Sequence, residues 1–468
     1  MTERVSWREV LNRRYAAPLA LVCLSIWLHA ADGLLVATMM PSIVSDIGGA
    51  ALISWTVMLY EVGSIVAGAA GGLAVLRFGL HRSMIFNGTV YCVGCVLSAI
   101  APEMWVMLVG RALQGLGGGG LIAQSFVAVT RLFPKRLTPR VMAAVSTLWG
   151  TSAFCGPLIG GLFVEFGDWR GGFWFFAAQA LLLILFIKAH AQNQKGLGEA
   201  ARLSSEMAGR LPGFRLTLLA SGVIMIAYAG IEVSPILTPL LLMTGFLSLG
   251  LFLHLDGKQN DTRLLPRRPF GFSSPESGAF TMILCFCAAT IAITVYGPIL
   301  MTYRHGASAL VAGYITACSS IGWSFGAIAV SGAPERHDRT FILGGMTLLM
   351  LSILGFVYAI PQGPLWLIAV FALFEGIGFG VSWAFILRRL TAVAPAAESE
   401  RIAAAIPTVQ RFGYALGAAY AGIVANGAGL ERDLPAVEAG QVGAAIFLAC
   451  LPIGLIGLAA AIRFVWRD

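Results

Sequence analysis

Five ionisable side chains stand where water should not reach them. Asp32, Glu61, Arg111, Glu375 and Arg411 each fall inside an apolar run long enough to cross a bilayer. Charges in that setting are costly, so such residues usually face a cavity or a partner and mark the path of an ion or substrate. A carboxylate beside an arginine can exchange a proton. Paired, it stays ionised; released into a half-dry cavity it holds a proton, because desolvation penalises the charged form. Counting 1.5 Å per residue along each span places Asp32, Glu61 and Arg111 about 10–14 Å below one face. They are therefore expected to form one proton-coupling cluster, with a static ion pair as the plainer alternative. Glu375 and Arg411 fall near the midplane, where they either pair across the second half or touch substrate.

The elements that hold these residues follow from composition. Of 468 residues 58% are hydrophobic and 12% charged, about half the charged share of a soluble domain, roughly 25%. With a mean hydropathy of +0.82, the chain is expected to be an all-α integral membrane protein. Fourteen runs approach the ~20 apolar residues that a ~30 Å hydrocarbon core requires, beginning with 16–40. No polar stretch between them is long enough to fold a core, so a separate enzyme domain is excluded and no enzyme activity is expected.

The net charge of +8 does not point to nucleic acid, because the basic residues sit in alternate loops. One set of loops holds only Arg170, Arg304 and Arg432, while the other set and the termini carry the rest of those outside spans. By the positive-inside rule both termini are cytoplasmic, in a multi-pass protein of the inner membrane. Cys92-x-x-Cys95 and Cys285-x-Cys287 lie within apolar spans and read as helix packing, so neither metal nor cofactor is expected. His81, His190, His305 and the other histidines are placed at span ends or in loops, which gives no histidine proton relay.

The two longest polar stretches, 191–213 and 255–276, flank spans seven and eight. The layout is 6 + 2 + 6: a six-helix half over 1–190, a two-helix hairpin with its linkers over 191–276, and a second six-helix half over 277–468. A six-helix unit repeated in parallel suits a rocking transporter with its substrate site between the halves. Within 197–211, apolar residues at loosely helical spacing suit either a surface helix on the inner leaflet or a plain linker.

Glycines supply the most specific pattern. Span five reads Gly150-Thr-Ser-Ala-Phe-Cys-Gly156-Pro157-Leu-Ile-Gly160-Gly161, a helix able to pack closely and bend. This segment resembles the antiporter motif of the major facilitator superfamily, which there marks exporters. Arg111-Ala-Leu-Gln114-Gly115-Leu-Gly117 resembles that family's fourth-helix motif, whose arginine is implicated in proton transfer. Asp32 with Pro41-Ser-Ile43 is similar to the first-helix motif of the fourteen-span drug/proton antiporters, Trp169-Arg170 with Phe173 to the start of their sixth helix, and Arg411-Phe-Gly413 with Gly417 to their thirteenth. The loop after span two departs from the pattern. Arg77, Gly79 and Arg82 match its gating positions, but Leu76 stands where an aspartate is expected.

The resemblance implies the major facilitator fold and a proton-coupled exporter of amphipathic or aromatic small molecules, with Asp32 as the proton carrier. The expected cavity is lined by Glu61, Gln114, Trp149, Glu375 and Arg411, with Trp27, Trp55, Tyr60, Trp323, Trp383 and Tyr414 as candidate stacking walls. The expected partners are a small organic substrate, protons and lipid, and the working unit is a monomer. A dedicated permease for one metabolite, siderophore or vitamin, and a non-transporting scaffold or lipid-handling protein, are the two alternatives.

Overall fold

In hydrocarbon, a backbone satisfies its N–H and C=O groups only in a helix or a closed barrel. The chain takes the helical course. The computed structural model describes residues 7–191, 212–231, 234–259, 263–266, 269–271, 273–393, 399–431 and 434–466, and no strand occurs among them. After one turn at Trp7–Val10, the first six long helices are α1 (Ala16–Ile47), α2 (Ile53–Phe78), α3 (Leu80–Ala99), α4 (Met104–Leu132), α5 (Thr138–Phe166) and α6 (Arg170–Ala191). Two more, α7 (Gly213–Tyr228) and α8 (Leu237–Gly257), form a hairpin. The last six are α9 (Pro275–His305), α10 (Ala309–Ala329), α11 (Asp338–Ala359), α12 (Leu365–Val393), α13 (Ser399–Gly427) and α14 (Ala436–Trp466). Eleven helices among the described residues are long and apolar enough to cross a membrane, and α7 is a shorter apolar helix. The segment 197–211, where a surface helix was one expectation, lies outside the described residues.

α1 is longer than its apolar run suggests. It continues through Pro41 and ends at Ile47, where Gly48 leaves the helix at a φ of 70°. A proline inside a membrane helix removes one donor but is tolerated when neighbours satisfy the freed groups. Asp32 consequently sits fifteen residues from the end of α1, about 22 Å along the axis, which is the middle of the helix and not its outer third.

The packing within the first six helices is repeated in the last six. α1 packs on α5, α2 and α3 on α4, and α3 on α6; in the same order α9 packs on α13, α10 and α11 on α12, and α11 on α14. Glycines set the closest approaches. A methyl group at Gly115 would lie 2.2 Å from the Tyr60 carbonyl oxygen, and one at Gly376 would lie 1.7 Å from that of Ser319. Between helices in a bilayer, where lipid tails are as apolar as leucine, such backbone-to-backbone packing is the main source of association.

Contacts between the halves gather at the end of the bundle where α1 stops and α2 starts, called here the Ile47 end. Leu310 of α10 covers Gly161 of α5, Gly313 of α10 meets Thr38 and Pro157, and Gly422 of α13 meets Ser54 of α2. Asn426 Nδ2 donates to the Ala51 carbonyl at 2.9 Å and to that of Gly230, beyond α7, at 2.6 Å. At the opposite end, Trp7 lies under Arg140 and Trp466 under Arg339, so both ends of the described chain share that face.

Because Gly376 has backbone where a side chain would go, Gly376→Ala forces α10 and α12 apart; overpacking of this kind costs about 1–3 kcal/mol. Gly72, in α2 with open space around it, should accept alanine with no loss. Thermal unfolding of the two purified variants compares them: a clear drop in midpoint is expected for Gly376→Ala alone.

Candidate functional site

Asp32 and Arg111 are joined directly. The guanidinium Nη1 of Arg111 donates to Asp32 Oδ2 and to Gln114 Oε1, and Nε donates to the Thr56 carbonyl at 3.2 Å. Tyr91 Oη donates to the Leu28 carbonyl at 2.9 Å and lies 3.3 Å from Asp32 Oδ1. The ring of Tyr60 covers the guanidinium, 4.4 Å from ring centre to Cζ. Side-chain exposure of 0% for Asp32 and 1% for Arg111 makes this a sealed pair. Gln114, expected to line the cavity, is fully buried as a ligand of Arg111; its amide oxygen is needed there because one carboxylate cannot satisfy five guanidinium donors.

Glu61 does not join that cluster. It pairs across the two halves, with Glu61 Oε2 accepting from Arg411 Nη1 at 3.0 Å. Arg411 also donates from Nη2 to His29 Nε2 at 2.9 Å. Glu61 and Arg411 are 14% and 20% exposed, so this pair, unlike the first, is not sealed. The expected pairing of Arg411 with Glu375 is replaced, because α2 and α13 pack face to face and bring Glu61 opposite Arg411. Glu375 instead accepts a hydrogen bond from Ser319 Oγ at 3.2 Å.

His29 overturns the expectation that every histidine lies at a span end. It is fourteen residues into α1 and buried. An arginine can only donate, so Nε2 must be the accepting nitrogen and the ring proton belongs on Nδ1. Nδ1–H then donates to Tyr60 Oη at 2.7 Å, and the tyrosine hydroxyl donates to the His29 carbonyl at 3.2 Å. A second proton could enter only at Nε2, facing the guanidinium, so His29 can be charged only after Arg411 leaves. Through Tyr60, which touches both His29 and Arg111, the sealed pair and the inter-half pair are one network. The sequence signal for it was His29 itself, three residues before Asp32 and in an apolar run.

The other expected residues divide between site and scaffold. Trp149 is 45% exposed and stands edge-on to His29 at 6.4 Å. Trp323 stacks with Phe379 and abuts Trp383, while Trp27 donates to Gln179 and Trp55 meets Trp105 and Tyr228. In α5, methyl groups at Gly156 and Gly160 would come within 3.1 Å and 2.9 Å of the Ala31 and Leu35 carbonyl oxygens of α1. Gly150 has more room, its nearest neighbour being Ser324 across the halves at 3.8 Å. Gly156, Pro157, Gly160 and Gly161 thus form the surface on which α5 meets both α1 and α10. Trp169 and Arg170 bind Asp46, fixing α6 to the end of α1. Gly79, at a φ of 84°, is the whole connection between α2 and α3, with exposed Arg77 and Arg82 on either side.

The comparisons agree with this architecture. A family model described as Major Facilitator Superfamily matches residues 22–256. A probable multidrug-efflux transporter of Mycobacterium tuberculosis H37Rv is 30% identical over 477 residues, spanning 100% of this chain and 98% of that protein. The chain belongs to the major facilitator superfamily. Among solved structures, this member of the superfamily is similar in fold to the peptide transporter POT in complex with sulfate (TM-score 0.66, 16% identity, 98% of this chain and 99% of that one). It is also similar to the inward open conformation of the xylose transporter XylE from E. coli (TM-score 0.61, 16% identity, 96% and 95%).

Because Arg411 holds Glu61 and His29 of the other half at once, Arg411→Gln should loosen the Ile47 end. Paired labels at Asp168 and Ala428 are expected to report a longer and broader distance in that variant. In a double-mutant cycle on unfolding, Glu61→Gln and Arg411→Gln should couple by roughly 0.5–3 kcal/mol. Additive single effects would show that the two side chains do not act as a pair.

Proposed function

We propose that this protein is a proton-coupled exporter of amphipathic or aromatic small organic molecules, working by alternating access in the inner membrane with both termini in the cytoplasm. The observation that carries the reading is the sealed Asp32–Arg111 pair linked by Tyr60 and His29 to the partly exposed Glu61–Arg411 pair. The contacts between the halves at the Ile47 end hold that end together, and in the proposed cycle substrate enters from the end bearing the termini. The six-helix halves over 1–190 and 277–468 are the rocking units, and the hairpin within 191–276 rides beside α2 and α13. The name of the mycobacterial relative, a probable multidrug-efflux transporter, favours export over the dedicated permease and the scaffold.

The proposed cycle follows from charge balance. A charge left unpaired in a dry interior is strongly unfavourable, so Arg111 can release Asp32 only if Asp32 takes a proton. A cationic or polar substrate group that competes for Glu61 frees Arg411 from the other half and removes one bond holding the Ile47 end shut. Trp149, beside His29, supplies an aromatic face for the apolar part of the same substrate. Opening toward the Ile47 side lets substrate leave there and a proton enter; the return step carries the proton to the other side. Substrate and proton thus move in opposite directions. The working unit in this scheme is a single chain, with no cofactor.

Asp32→Asn keeps an acceptor for Arg111 but cannot take up a proton. In proteoliposomes with an imposed pH gradient and ethidium as the probe, this variant should lose uphill transport while still binding ethidium. Glu61→Gln should chiefly weaken ethidium binding. Concentrative ethidium transport by Asp32→Asn with an unaltered pH dependence would remove Asp32 as the carrier. Absence of any gradient-driven movement in the unaltered protein would remove the exporter reading itself.

A further inference from the structure

The repeated halves differ at a position that the cycle above does not use. Gln114-Gly-Leu-Gly-Gly-Gly119 on α4 and Glu375-Gly-Ile-Gly-Phe-Gly380 on α12 occupy matching places. Gly115 and Gly119 press on Tyr60 and Ser64 of α2, and Gly376 and Gly380 press on Ser319 and Trp323 of α10. Gly117 presses on Tyr91 of α3, and Gly378 on Gly345 and Leu349 of α11, in the same register. The residue before the first glycine is therefore one structural position occupied twice, by an amide in one half and a carboxyl group in the other. In the same register Arg111 corresponds to Ala372, so the second half has no guanidinium where Gln114 finds one.

The surroundings of Glu375 are those of a neutral group. It is 5% exposed. Ser319 Oγ donates to Oε1, and Oε2 has no hydrogen-bond partner among the described residues. The groups from neighbouring helices within its electrostatic reach are the Cys287 thiol of α9 and the Tyr414 phenol of α13, both of which also feel Glu61. From α10 it faces Ser319, and α11 meets its helix through Gly345 and Leu349 at Gly378 and through Ser352, which donates to the Phe371 carbonyl at 2.6 Å. None of these is a cation. A carboxylate here would leave one oxygen bare and its charge unbalanced, whereas a carboxylic acid has the shape and neutrality of the glutamine amide at the matching site.

We propose that Glu375 is a second proton-binding site, belonging to the C-terminal half, which carries its proton as a carboxylic acid while the Ile47 end is closed. The step is simple addition: a proton from water between the halves binds the carboxylate at Oε2, and it returns to water when that oxygen is solvated. Its use in transport rests on the proton-coupled reading above; its existence as a protonated group does not. Because α10 and α12 are locked together by their glycines, Ser319 stays with Glu375 through the cycle. What changes is water access from between the halves, so this half gains or loses a proton without breaking an ion pair.

Infrared spectroscopy of the full-length purified protein tests the assignment directly. At near-neutral pH, the spectrum of the unaltered protein minus that of Glu375→Gln should contain the carbonyl stretch of one carboxylic acid, displaced on transfer to deuterium oxide. Ser319→Ala, which removes the donor to Oε1, should move that band to higher frequency, and it serves as the second reading should Glu375→Gln fold poorly. On back-titration from alkaline pH, Glu375→Gln should take up one proton fewer. If the difference spectrum shows only ionised carboxylate at neutral pH, and Ser319→Ala shifts no acid band, the site is not a proton site. A Glu375 acid band in a protein that shows no gradient-driven ethidium movement would leave this assignment standing and sink the exporter reading, so the two failures are distinct.

Discussion

An ionised side chain inside hydrocarbon must be matched by an opposite charge and by hydrogen bonds, and Arg111 sets that requirement for the first half of this protein. Its guanidinium draws Asp32 from α1, the Thr56 carbonyl and the face of Tyr60 from α2, and Gln114 from its own helix. Glycines on α4 allow the approach: a methyl at Gly115 would strike Tyr60, and one at Gly119 would strike Ser64. Charge matching and close packing are therefore one solution to one problem. Without the close approach that the glycines permit, Arg111 would lose the α2 groups that satisfy it.

In the proposed cycle the same arrangement gives the site two states. Asp32 and Arg111 are sealed within one half, but Glu61 and Arg411 meet only because two halves happen to be in contact. If the halves rock as proposed, a pair shared between them is made or broken by that movement, whereas a pair inside one half persists until a proton replaces its counter-charge. His29 connects the two kinds of pair, since one nitrogen faces Arg411 and the other faces the tyrosine that covers Arg111. Movement of one half can thus be felt at a buried carboxylate that never touches the other half.

The second half repeats the packing but not the charges. α12 carries the same glycine spacing as α4, with Glu375 in the place of Gln114 and Ala372 in the place of Arg111. The backbone geometry survives such exchange because it depends on absent side chains. The electrostatics do not survive it, and each half is left with its own way of holding a buried carboxyl group: an ion pair in the first, and a single hydroxyl donor in the second.

Much of the architecture was legible in the chain itself. Apolar run length marked the helices, the spacing of polar stretches marked a hairpin between two groups of six, and Arg111, Asp32 and the glycines of span five stood out because their presence in hydrocarbon needs a reason. Burial cost is a local property, so one residue in an apolar run announces it. Partnership is not local. Glu61 could as well have met Arg111, and Arg411 could as well have met Glu375, since each lies at a compatible depth; which pairs form depends on helix rotation and on α2 packing against α13. The extra seven residues of α1 beyond its apolar run changed the depth of Asp32, because Pro41 did not end the helix. His29 was visible as a residue and not as a participant, for its role exists only once Tyr60 and Arg411 converge on it from two other helices. Sequence determined which groups had to be satisfied; the tertiary structure decided by whom, because satisfaction in a membrane is a matter of distances between helices that the order of residues does not contain.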